Sequence, residues 1–342
     1  MGNQINKPNT HFNPVLYTGN ATDNTAITGL GFQPDLTWIK SRTGTAYDHR
    51  NFDIVRGAGK RIGTNKTDAE ATVANELKSF DSDGFTLGTS VAVNGLANFV
   101  SWNWKAGGTA VSNTDGDITS SVSANTDSGF SVVTWTGTGA NATVGHGLNS
   151  VPSIIILKNR IDAIQWRVYH ASLGATKAIF LDLTNPADTL TAYWNDTTPT
   201  SSVFSLGNDN GTNGSGDGMV AYCFAEKKGF SKFGSYVGNG SADGTFVYTG
   251  FKPAFVMLKS SSNVTEWIMH DNDRLGYNGG NQPLFPNNSG AEDANSRIDL
   301  LSNGFKLKDS SVHWNGSGYS FIYLAIAESP IVGTNGVPAT AR

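Results

Sequence analysis

The sequence predicts an all-β protein made of three tandem antiparallel β-sandwich units, jelly-roll or lectin-like in kind. Three observations lead there. One set of landmarks recurs three times in the same order. Gly is abundant at 40 residues while charged residues make up only 15%. The apolar residues alternate over short runs bounded by Gly, Asn, Ser and Thr, as strands and turns require.

The landmarks place the elements in chain order. Each unit opens with a strand ending in aromatic-x-Gly: Tyr17/Gly19, Trp135/Gly137 and Tyr236/Gly238. A proline then starts an apolar run that is answered six positions on by a lysine: Pro34/Lys40, Pro152/Lys158 and Pro253/Lys259. A Phe-x-Leu follows at Phe85, Phe204 and Phe305, which lie 51, 52 and 52 residues after the prolines. Each unit closes on a strand apolar on both faces, over 99–104, 219–225 and 321–327. Such a strand belongs inside a sandwich or between a sheet and a neighbouring unit. The constant steps mark a tandem array.

The resulting organisation is an N-terminal arm with the first unit (1–106), a Gly/Ser/Thr-rich linker (107–128), a second unit (129–228), a third (229–329) and a tail (330–342). The tail is a poor candidate for strand or helix. The repeat is far longer than that of most solenoids, so each unit is expected to fold alone. Residues 68–77 offer the one plausible helical turn.

Composition limits the function. The net charge of −4, with no Lys/Arg cluster, argues against a nucleic-acid partner. No apolar run approaches a membrane span, and no signal peptide is read. Cys223 is the only cysteine and lies in an apolar strand, so it reads as a buried thiol.

No catalytic constellation is found. Glu226 and Glu328 hold equivalent places after the closing strand, but Ala106 stands there in the first unit and no partner carboxylate recurs. The strands carrying Trp166/His170 and Trp267/His270 follow their prolines at one spacing, with Tyr47/His49 in the first unit. They read as structural strands before sugar-stacking ones. The repeated lysines read as strand-end residues that keep an edge soluble. The oxygen-rich stretches 81–84 and 208–218 lack the Glu of an EF-hand and read as turns, so neither metal nor cofactor is assigned. Two loops remain as ligand candidates: Trp194 with Asn195 and Asp196, and Trp314 with Asn315.

The phrases at 31–40, 79–88, 101–108, 220–226, 248–256 and 336–342 resemble a recurring module of marine bacteriophage tail-fibre and appendage proteins. The resemblance covers nearly the whole chain. It implies a virion surface protein with other virion proteins as partners, in a homo-oligomer of which a trimer is favoured. It transfers no binding or catalytic residue. Three functions are compatible with this reading: a tail-fibre, appendage or receptor-binding knob touching host surface glycans, a ligand-free capsid-decoration or tail-joining protein, and a polysaccharide depolymerase. The missing carboxylate pair disfavours the last.

Overall fold

The computed structural model describes residues 5, 7–274, 282–293, 295, 297–332 and 338–339. The remaining residues of the N-terminal arm and of the tail lie outside the described residues. The chain is all-β, built from antiparallel sheets.

Three larger sheets share one strand order. The opening strand (Phe12–Thr18, Phe130–Thr136, Ser231–Val237) pairs with the closing strand (Asn98–Trp104, Gly218–Ala225, Ser320–Ala327). The closing strand pairs next with the proline strand (Leu36–Ser41, Pro152–Asn159, Pro253–Ser260). That strand pairs with a histidine strand (Arg50–Asp53, Arg167–His170, Trp267–Asp271). Pro152 and Pro253 sit first in their strands, where the register shifts by a bulge and the missing N–H costs no ladder bond. A smaller sheet faces each larger one and carries the buried Phe85, Phe204 or Phe305.

The closing strands are apolar on both faces because each face meets a different core. Phe99, Met219 and Phe321 pack against the smaller sheet of their own repeat, in three separate clusters. Trp104, Phe224 and Ile326 point the other way, into one cluster shared by all three repeats. The larger sheets therefore back onto a common centre, and the repeats do not stand as independent cores. This departs from the expectation that each unit folds alone. A step of about 100 residues gives each repeat a sandwich of its own, but leaves the back of its larger sheet apolar and in need of cover.

Bonds between a closing strand and a histidine strand cross the three seams in one rotational sense. Tyr222 OH donates to Asp53 Oδ2 (2.9 Å), Trp102 Nε1–H to Asp271 Oδ2 (2.9 Å), and His170 Nε2–H to the Tyr323 carbonyl (3.2 Å). Eight residues past each proline, the carbonyls of Arg160, Ser261 and Arg42 accept from the N–H groups of Glu70, Ala187 and Glu292 at 2.8, 2.9 and 3.2 Å. Repeat 2 thus holds repeat 1, repeat 3 holds repeat 2, and repeat 1 holds repeat 3. A head-to-tail contact that closes on itself makes a ring. Asn9 and Ser329 hydrogen-bond to one another where the first and last repeats meet.

The aromatic-x-Gly landmark has a steric cause. Its glycine passes directly over the end of a helical turn (Val91–Asn94, Asn210–Asn213 or Val312–Asn315). A Cβ would fall 2.0 Å from Gly95 O at Gly19, 2.1 Å from Gly214 O at Gly137, and 2.3 Å from Gly316 O at Gly238. Tyr17 and Tyr236 bond from their hydroxyls to the carbonyls of Val93 and Trp314 in the same turns, both at 2.7 Å. Gly238→Ala is expected to cost about 1–3 kcal/mol, because rigid backbone must move to admit a methyl group. A urea titration showing no loss would refute the close approach.

Three sequence expectations are corrected. Residues 107–128 are not a linker: Val111–Asn113 and Ser120–Asn125 extend the second larger sheet beyond its opening strand. Residues 68–77 form no helix, and Ala71–Thr72 pairs with Lys60–Arg61. In the tail, Ile331–Val332 pairs with Pro338–Ala339.

Candidate functional site

The two loops proposed from sequence do not form a surface. Thr191–Trp194 is a helical turn ended by Asn195 in the left-handed region (φ 50°). It drives Trp194 into the core, 1% exposed, with Nε1–H bonded to the Lys177 carbonyl (3.0 Å). Trp314 is likewise buried, donating to His270 Nε2 (3.0 Å). Asn315 is enclosed too, and its amide grips Asn239 Oδ1 and the Ser241 carbonyl. Asn94 and Asn213 end the equivalent turns and grip the equivalent loops at the Thr22 and Ala140 carbonyls, so Asn315 belongs to a structural repeat. Asn195 is half-buried and accepts from Asn141, while Asp196 is exposed. With both indoles covered, neither loop offers an aromatic face to a sugar.

The repeated lysines do not defend an edge. Lys40, Lys158 and Lys259 are all 0% exposed. Each ammonium turns onto the carbonyl of the next residue: Ser41 (2.9 Å), Asn159, or Ser260 (2.8 Å). Among the described residues none forms a salt bridge. Burial pushes their pKa values down to about 8, 8 and 7, with Asp48, Asp182 and Glu266 opposing part of the drop. The unfolded chain, with lysine near 10.5, therefore holds these protons more tightly than the folded one. Stability should rise as pH climbs through the window from about 7 to 10.5. Between pH 7 and pH 9 the gain should be on the order of 1 kcal/mol per lysine. Urea midpoints at those two pH values measure it, and the variant K40M/K158M/K259M should lose the slope.

The histidine strands are internal as well. His49 accepts from Trp38 Nε1–H (2.8 Å) and donates from Nε2 to the Phe285 carbonyl (3.0 Å) across a seam. Burial holds its pKa well below 6.5, and that of His170 falls to about 4. Trp166 and Trp267 are buried and donate across their seams to the carbonyls of Gly63 (3.0 Å) and Phe180 (2.7 Å). Glu226 and Glu328 pair with Lys232 and Lys252, each at 2.8 Å. Asp83 accepts from the N–H groups of Gly29 and Gly31, and Asp209 from Gly211. The oxygen-rich stretches are thus knit into turns. Among the described residues no three metal-ligating side chains come together. Cys223 is buried, which pushes its thiol up.

One open groove, of about 380 Å³, lies in repeat 2 beside the seam with repeat 3. Arg167 and Tyr193 form its floor, Phe180, Leu183 and Pro186 its walls, and Gln165, Asn185 and Asp188 its polar rim. The Arg167 guanidinium lies 4.9 Å from the Phe180 ring centre and 5.2 Å from that of Tyr193. Asp209 binds it from behind (3.2 Å), so the charge is neutralised within the protein. The Tyr193 hydroxyl donates to Asp188 Oδ2 (2.6 Å). What faces solvent is the partly buried Phe180 ring among amide and carboxylate groups. That set suits a neutral polyhydroxylated ligand better than an anion. Sequence reading missed this groove. Arg167 gave no signal of it, since the equivalent strand of repeat 1 also carries an arginine, Arg50.

Residues 7–330 match, as one continuous unit, a family described as a domain of unknown function, DUF7483. The chain belongs to this family. The DUF7483 match spans all three repeats, in agreement with the core they share. No curated protein matches the DUF7483 chain.

Proposed function

We propose that the chain is a non-catalytic structural protein of a bacteriophage virion, carried at the particle surface as a compact appendage or receptor-binding knob. The observation that supports this best is the use made of the chemically capable side chains. The recurring histidines, lysines and tryptophans tie sheets and seams together, as a rigid display body requires. The resemblance to phage appendage modules points the same way.

In this reading the groove at Phe180 is the glycan contact. It is shallow and open, so a single site binds weakly and adhesion comes from several copies, with a homotrimer as the favoured assembly. Glycan arrays with the purified protein test the contact. Phe180→Ala with Asp188→Ala should weaken the signal by about tenfold or more, roughly the loss of one stacked ring and one hydrogen-bonded group. Immunogold labelling of particles tests the location, and sedimentation tests the assembly. No glycan signal, combined with a position inside the capsid lattice, would replace this reading with that of a ligand-free decoration protein.

A further inference from the structure

The smaller sheet of repeat 3 ends in the strand Phe246–Tyr248, which pairs on one side only, with Gly304–Leu307. Thr245 O accepts from Leu307 N–H and Thr249 N–H donates to Asn303 O, both at 3.0 Å. Alternation along the strand then turns the N–H and C=O groups of Phe246 and Tyr248 to the other, open edge. Among the described residues nothing bonds to them there. Their side chains are exposed too, Phe246 by 44% and Tyr248 by 64%. At the equivalent positions repeat 1 carries Ala26 and Thr28, and repeat 2 carries Thr143 and Gly145. A bare edge with two outward aromatic rings is a hazard that small residues avoid.

Repeat 2 shows what such an edge accepts. Its equivalent strand, Ala142–Gly145, is covered by the chain's own segment 117–120, lying parallel to it. Ile118 N–H donates to Thr143 O (3.1 Å), and Ser120 Oγ–H donates to Gly145 O (2.9 Å). Asp117 Oδ2 receives Thr143 N–H (3.0 Å). The Ile118 side chain drops into the core of repeat 2. Repeat 3 has no counterpart to this segment, because its opening strand follows the closing strand of repeat 2 after a short turn.

We propose that the edge of Phe246–Tyr248 receives an extended strand from a partner polypeptide. That strand runs parallel to it, with an acidic residue, a β-branched apolar residue and a hydroxyl residue placed as Asp117, Ile118 and Ser120 are in repeat 2. Main-chain bonds to Phe246 and Tyr248 supply the register, and the two rings flank the incoming side chains. The groove at Phe180 plays no part.

The test uses the full chain and a fluorescent peptide spanning residues 115–122. Anisotropy should show saturable binding below about 1 mM, and F246A/Y248T should weaken it by about tenfold or more. That variant installs the residue types of repeat 1, so its circular dichroism should match the parent. Amide exchange at Phe246 and Tyr248 should slow on binding, which a ligand stacked only on the rings would not cause. Absence of saturable binding, or binding indifferent to the double substitution, would overturn the proposal. A concentration-dependent dimer of the chain alone, abolished by F246A/Y248T, would also overturn it and assign the edge to a second copy.

Discussion

Replacing Asp53 by alanine should cost about 3–5 kcal/mol, the range for breaking a buried ion pair from one side. Asp53 and Arg56 are both fully buried and bonded through the guanidinium Nε. The carboxylate also accepts from the N–H groups of Val55 and Arg56 and from the Tyr222 hydroxyl of the next repeat. Its loss leaves Arg56 charged in a dry site, held by Glu70 (3.2 Å), the Tyr222 hydroxyl (3.2 Å) and the Lys60 and Asn51 carbonyls. A guanidinium stays protonated in proteins, so Arg56 cannot shed its charge to escape that site. Urea titration measures the loss. Adding Arg56→Met should recover part of it, since no uncompensated charge then remains. A cost below about 1 kcal/mol for Asp53→Ala would mean that solvent reaches this node.

Phe224→Ala should cost a similar amount, about 3–5 kcal/mol. Phe224 lies in the shared centre, with its ring 4.9 Å from Phe130, 6.3 Å from Trp104 of repeat 1 and 6.4 Å from Phe233 of repeat 3. The cavity would open where the repeats meet, so the effect should extend beyond repeat 2. Unfolding should remain a single transition shifted as a whole, with tryptophan fluorescence and circular dichroism coinciding. A separate early phase confined to one repeat would show that the repeats melt independently.

Much of the architecture was legible because it is periodic. The proline, Phe-x-Leu and closing-strand landmarks recur at fixed steps, and each marks a buried position that a strand must present to a core. The double-sided closing strands also announced a second packing partner, although not that it is a centre common to all three repeats. What was hidden depends on partners distant in sequence. Lys40, Lys158 and Lys259 look like surface residues until the strand-end carbonyls around them are seen. Residues 107–128 have the composition of a linker because Gly, Ser and Thr serve edge strands and turns alike. Residues 68–77 look helical, yet Glu70 pairs with Arg160 across a seam and the buried Glu76 with Arg50 and Arg61, partners far off in sequence that a local reading does not reveal. The groove was illegible because Phe180, Pro186 and Tyr193 come from irregular sequence with no period to read.

The three seams share their main-chain bond but not their side chains. Arg160 meets Glu70 and Arg42 meets Glu292, while Ser261 and Ala187 meet through backbone alone. In a ring of identical subunits one codon change alters every seam at once, so each change must suit all of them. A ring written into one gene is free of that restriction: each seam can drift separately while the backbone bond preserves closure. Selection can then shape the Phe180 groove in repeat 2 and the Phe246 edge in repeat 3 without imposing the same change on the other repeats.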